Sequence, residues 1–129
     1  MSAKSDGKAH ILLVEDNATI RDAFCLLLTE SGYEMSCASC GEEALQSLRE
    51  TVPDLILMDL GLPDIPGLDL TRRLKEDEAT RDIPVVAITG RAQEADERAC
   101  RAAGCAAHIA KPVNSRDLLE MIPAFLRNG

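Results

Sequence analysis

Aromatic side chains are scarce in this chain of 129 residues. There is no Trp, one Tyr (Tyr33) and two Phe (Phe24 and Phe125), so stacking platforms for nucleic-acid bases are excluded. A basic face is missing too. Fourteen Lys and Arg stand against 22 Asp and Glu, a formal charge of −8, the opposite of what a polyanion-binding surface needs. Long apolar runs are absent. Runs such as Leu55–Met58 and Val85–Ile88 fall far short of the ~20 residues of a membrane-spanning helix. Residues 1–9 (MSAKSDGKA) lack the apolar segment of a secretory signal. A cytoplasmic protein without nucleic-acid or membrane partners is the expectation.

The composition that remains is globular, 46% apolar and 28% charged. This length supports one domain that buries its own core without staples. Five cysteines, an odd number, in such a chain predict reduced thiols rather than a disulfide framework. No internal repeat, low-complexity tract or interdomain linker interrupts the sequence.

Strand and helix patterns alternate. Ile11–Val14 is a continuous apolar run, as expected of a strand covered on both faces, and Asp54–Met58 and Ile83–Thr89 read as further buried strands. Tyr33–Ala38 and Ala106–Ala110 read as weaker strands. Between them, Ile20, Phe24, Leu27 and Leu28 recur at helical spacing after a capping Asn17, and Gly32 ends that helix. Helices are expected over 41–50, about 67–77, 92–103 closed by Gly104, and 115–127, where Pro123 suggests an irregularity. Five βα units in one short chain predict an α/β fold, a doubly wound five-stranded parallel sheet with helices on both faces.

In such sheets the functional site lies beyond the carboxyl ends of the strands. There the sequence places Glu15 and Asp16 after strand one, Asp59 after strand three, Thr89 after strand four, and Lys111-Pro112 after strand five. Each alone reads as a cap or a turn, but their joint placement carries the signal. Three crowded carboxylates repel unless a cation sits among them, and an open set of oxygen ligands suits Mg²⁺. Carboxylate, metal, ammonium and hydroxyl together make a phosphoryl-transfer kit in which a carboxylate oxygen attacks.

The segments LLVEDN (12–17), LILMDLGLPDIPG (55–67), VVAITG (85–90) and AAHIAKP (106–112) resemble the response-regulator receiver domain of two-component signalling, in order and spacing, over about residues 10–127. The resemblance implies the flavodoxin-like strand order 2-1-3-4-5. It implies that Asp59 accepts a phosphoryl group from a histidine kinase or histidine phosphotransfer protein. Asp16, Glu15, Asp59 and the Gly61 carbonyl would hold Mg²⁺, Lys111 would pair with phosphoryl oxygens, and Thr89 would swing onto the phosphate. A cis Lys111–Pro112 bond is implied as well. A short polar tail (1–9) and the receiver (10–127) leave no room for an output domain, so the effect is expected to run through protein contacts on the face of helix 92–103, strand 106–110 and helix 115–127. Whether the active molecule dimerises stays open.

The chain departs from the family pattern in places. The aromatic switch position three residues before the Lys is His108, which is smaller and can titrate. Gly61 and Arg91 stand where the family tunes loss of the phosphoryl group. Cys37 and Cys40 have metal-like and redox-like CxxC spacing, yet they lie at strand two, while Cys105 and His108 lie at strand five. These are opposite edges of the expected sheet and cannot share one metal. Cys25 is expected only to pack. Alternatives are a receiver excised from a hybrid histidine kinase, a phosphorylation-independent adaptor, and a haloacid-dehalogenase-like phosphohydrolase. The last needs a second acid two residues beyond its nucleophile, where this chain has Gly61.

Overall fold

The computed structural model describes residues 8–90 and 94–126, without the side chains of 94–96. In chain order the elements are β1 (His10–Val14), α1 (Ala18–Glu30), β2 (Glu34–Ala38), α2 (Gly41–Glu50), β3 (Leu55–Asp59), α3 (Gly67–Glu76), β4 (Val85–Thr89), α4 (Glu94–Ala103), β5 (Ala107–Ala110) and α5 (Ser115–Leu126). All pairings are parallel, in the order β2-β1-β3-β4-β5. The expected α/β doubly wound sheet is thus formed. No helix among the described residues is long and apolar enough to cross a membrane.

Strand alternation splits the core in two. Leu12, Val14, Ile56, Met58 and Val85 join Ala44, Leu70 and Leu74 on the α2–α3 face. Ile11, Leu13, Leu55, Leu57, Val86 and Ile88 join Leu28, Leu118 and Ile122 on the α1–α5 face. Every residue of β1, β3 and β4 is buried, which is why these strands are apolar except at their ends, where His10, Asp59 and Thr89 stand, instead of alternating with polar residues. Each fully buried Leu or Ile contributes roughly 1.5–3 kcal/mol of transfer free energy.

The punctuation behaves as expected. The Asn17 side chain accepts the Ile20 N–H at 3.0 Å. Gly32 and Gly104 take left-handed φ values of 102° and 106°, which glycine adopts without a Cβ clash. Helix α5 continues through Pro123, so the expected irregularity does not interrupt it. Residues 92, 93 and 127, expected in helices, lie outside the described residues.

One expectation fails. Cys25 on α1 and Cys37 on β2 are joined as a disulfide. Cys25 is therefore more than packing, and the partner of Cys37 is not Cys40. The cause is register: Met35 and Tyr33 pack on the α1–α5 side of the sheet, and alternation places Cys37 there as well. Cys40, Cys100 and Cys105 remain thiols.

Candidate functional site

The register of the central strands aligns the site. Val14 pairs with Met58, so Glu15 and Asp59 leave neighbouring strands at one level. Asp59 pairs with Ile88 and Thr89 with Ala110, which brings Thr89 and Lys111 to the same edge. Glu15, Asp59 and Thr89 are buried, at 1%, 2% and 5% exposure, while Asp16 is exposed.

Asp59 is held from two sides. Its Oδ1 accepts the Gly61 N–H at 2.9 Å, and its Oδ2 accepts from Lys111 Nζ at 3.1 Å. The same ammonium stands 3.7 Å from Glu15 Oε1, and Glu15 Oε2 accepts the Asn17 N–H at 3.1 Å. Ligand oxygens of Glu15, Asp16 and Asp59 lie within 4.8 Å of one another. Behind them the Lys111–Pro112 bond is cis, and the Lys111 N–H donates to the Thr89 carbonyl at 2.8 Å.

The electrostatics follow from this crowding. Burial, together with the neighbouring Asp59, pushes the Glu15 carboxyl up to about 7, against the Asn17 N–H that favours its charge. Burial acts upward on Asp59 too. There the Gly61 N–H, a hydrogen bond with Glu15 and the Lys111 ammonium outweigh it, and the carboxyl stays below its usual range. Burial acts downward on Lys111, but Asp59, Glu15 and Asp16 raise it. The arrangement thus keeps an ionised carboxylate at Asp59 and a firm cation beside it. It also leaves an excess of negative charge that one ammonium does not balance. This excess is what a divalent oxygen-ligated cation fits, and Mg²⁺ suits an open set of carboxylates and a carbonyl.

Gly61 is exposed, and a Cβ added there meets Asp59 Oδ1 at 3.7 Å, an ordinary contact. Its backbone, not an absent side chain, is what this geometry uses. Gly67 is different. A Cβ there meets the Asp59 carbonyl and Leu60 Cα at 2.7 Å, so only glycine lets α3 start this close to the end of β3. His108 lies away from the acids, lining a small cavity of about 60 Å³ between α4 and β5 with Glu97 and Arg101. Arg91 lies outside the described residues. An apolar cavity of about 400 Å³, walled by Ile20, Phe24, Ile88, Pro112 and Val113, adjoins Glu15 and Lys111.

Two residues passed over in the sequence support the site. Arg21 Nη1 donates to the Glu15 carbonyl at 2.9 Å and also reaches the Asp16 carbonyl, bracing the loop that carries the acids. Asp64 caps a helix other than its own. Its Oδ1 accepts the Gly41 N–H at 2.8 Å and its Oδ2 the Glu42 N–H at 2.9 Å. These bonds hold its carboxyl down at about 2 and tie the β3–α3 loop to α2. Helix α2 opens at Cys40, which makes no side-chain cap bond, so its first N–H groups take this acceptor from another loop.

Comparison with known proteins agrees with this geometry. The family model "Response regulator receiver domain" matches residues 11–123. The polar-differentiation response regulator DivK of Brucella ovis is 44% identical over 116 residues, covering 90% of this chain and 94% of that protein. A CheY-like response regulator receiver domain protein from Methanospirillum hungatei superposes with a TM-score of 0.87 at 32% identity, over 95% of this chain and 96% of that one. The receiver domain of the Pseudomonas aeruginosa sensor histidine kinase PA1611, solved with a magnesium ion in its active-site cleft, superposes with a TM-score of 0.85 at 30% identity, over 94% and 99%. With a family match over most of its length and the acid, hydroxyl and ammonium set at the expected strand ends, this chain belongs to the response-regulator receiver domain family.

Proposed function

We propose that this chain is a phosphoacceptor switch of two-component signalling, with Asp59 as the residue that is phosphorylated. The observation that carries this reading is the buried, ionised Asp59 carboxylate beside Lys111 and within reach of Glu15 and Asp16. The donor is a phosphohistidine on a histidine kinase or a phosphotransfer protein. An Asp59 oxygen attacks phosphorus, a P–O bond forms, the P–N bond breaks, and the imidazole leaves with a proton. Lys111 offsets charge on the phosphoryl oxygens, and the Thr89 hydroxyl donates to one of them. Glu15, Asp16, Asp59 and the Gly61 carbonyl would hold Mg²⁺. When bound, Mg²⁺ neutralises charge on the transferring group. A magnesium ion in the cleft of the PA1611 receiver supports that choice.

The chain does not turn over an external substrate; it assists its own phosphorylation and dephosphorylation in the cytoplasm. Output runs through the α4–β5–α5 face. Phosphorylation favours the state in which Thr89 and Lys111 hold the phosphoryl group, and His108, on β5, carries that change to the β5 face. His108→Ala then weakens phosphorylation-dependent partner binding, and unchanged binding would remove His108 from the switch.

The central test is chemical. Incubated with Mg²⁺ and a small acyl phosphate, the protein gains one phosphoryl group that survives acid and is released by alkali or hydroxylamine. Asp59→Asn gains none. Label that persists in Asp59→Asn, or an absence of label in the wild type, overturns the reading.

A further inference from the structure

The receiver chemistry makes no use of the Cys25–Cys37 pair. The two residues lie on different elements, a helix and the edge strand β2, with Cα atoms 6.9 Å apart, inside the ~7 Å that a disulfide can bridge. Their meeting follows from the fold. Met35 faces the α1–α5 layer, Cys37 is two residues further along the same strand, and Cys25 packs into that layer from α1. Cys37 is exposed and Cys25 half-buried, so reagents reach the pair from solvent. Cys40 is the N-cap of α2, and α2 packs against the opposite face of the sheet. Elsewhere Cys100 is buried, and burial pushes the Cys105 thiol up to about 11, which leaves it little thiolate to react.

We infer that Cys25 and Cys37 form a reversible oxidation site, a covalent latch between α1 and β2 closed by a hydroperoxide and opened by a dithiol. Cys37 sulfur attacks the O–O bond of hydrogen peroxide. One oxygen joins sulfur as a sulfenic acid, and the other leaves as water with the thiol proton. Cys25 sulfur then attacks Cys37 sulfur, the S–O bond breaks, and a second water leaves with the Cys25 proton. Two thiols and one peroxide give one disulfide and two waters.

The latch lies next to the acid site without being part of it. Cys37 pairs with Leu13, and the next residue, Ala38, accepts the Glu15 N–H at 2.9 Å. Phe24, beside Cys25, walls the cavity that adjoins Glu15 and Lys111. Closing the latch fixes that wall to the sheet edge. Because the cross-link spans 12 residues of sequence, it restricts the unfolded chain, and the oxidised form should melt roughly 10 °C above the reduced form.

The test starts from fully reduced protein and stoichiometric hydrogen peroxide. Free thiols counted in denaturant should fall from the five of the sequence to the three of Cys40, Cys100 and Cys105. A glutamate-specific protease cuts after Glu30 and Glu34, and so separates Cys25 from a fragment Met35–Glu42 that holds both Cys37 and Cys40. The two fragments should stay joined until dithiothreitol releases them. Cys40→Ser should keep the cross-link, and Cys25→Ala should lose it while still accepting the phosphoryl label, which shows that it folds. A bond confined to Met35–Glu42, no thiol loss, or equal melting of the two forms overturns the inference.

Discussion

Lys111 Nζ sits 3.1 Å from Asp59 Oδ2 across 52 positions of sequence, and the same ammonium faces Glu15 at 3.7 Å. One cation thus spans two buried carboxylates from neighbouring strands. Its removal leaves both without that partner and takes away the positive charge that, on the proposed reading, meets incoming phosphoryl oxygens. Lys111→Ala should slow labelling by an acyl phosphate on the order of a hundredfold, with Mg²⁺ affinity changed far less. Labelling at the wild-type rate would remove Lys111 from the chemistry.

Glu15 makes stability depend on pH in an unusual direction for a carboxylate. Its carboxyl is pushed up from 4.5 to about 7 in the fold, so the folded state holds a proton that the unfolded state releases. That contribution is full below pH 4.5 and is lost as pH rises through about 7. Asp59 shifts downward and titrates below this window. In a chelator, Tm should therefore fall between about pH 4.5 and 7. Magnesium favours the ionised form and should flatten or reverse the fall. Glu15→Gln should remove most of the slope. A Tm that rises across this window in chelator would contradict the assignment.

Asp64 obeys the opposite sign. Its carboxyl is depressed from 3.8 to about 2 by the α2 N–H groups, so its stabilisation is present above 3.8 and lost as pH falls through about 2. Asp64→Ala should lower Tm by a constant amount from neutral pH to about 4, and the difference should shrink below that. Asp64→Asn, which keeps an acceptor, should recover part of the loss. Thermal melts across the pH series provide the check.

Gly67 admits no side chain. A Cβ there meets backbone at 2.7 Å on two sides, and backbone at the end of a central strand cannot retreat cheaply. Gly67→Ala should cost about 1–3 kcal/mol in denaturant unfolding and slow phosphoryl labelling, because the displaced atoms belong to Asp59 and Leu60. Gly61→Ala, whose Cβ meets only Asp59 Oδ1 at an ordinary 3.7 Å, should cost little. Equal costs at the two glycines would refute the steric argument.

These residues also show what a reader of the sequence can see. Strands buried on both faces announce themselves as apolar runs, and Glu15, Asp16, Asp59, Thr89 and Lys111 were visible because strand ends converge in a parallel sheet. The Asn17 cap and the left-handed glycines were equally legible, since each signal is local. The Asp64 cap was not, because its partner N–H groups lie more than 20 positions away and the residue reads as one polar member of a turn. The Cys25–Cys37 contact was hidden for a related reason. Counting cysteines speaks to the redox setting of a chain, whereas their pairing depends on which face of β2 meets α1. Cys37–Cys40, adjacent in sequence, drew attention to the wrong partner.

The order β2-β1-β3-β4-β5 places the first strand near the middle of the sheet and the last at its edge, and the site draws on both. During synthesis a growing chain carries its three carboxylates long before the ammonium of Lys111 emerges. Until the final βα unit docks, Asp59 and Glu15 lack the ammonium that stands beside both of them in the fold. On the proposed reading, competence to receive a phosphoryl group requires that final unit to be docked beside β4. A copy lacking that unit should then take no phosphoryl group from the relay.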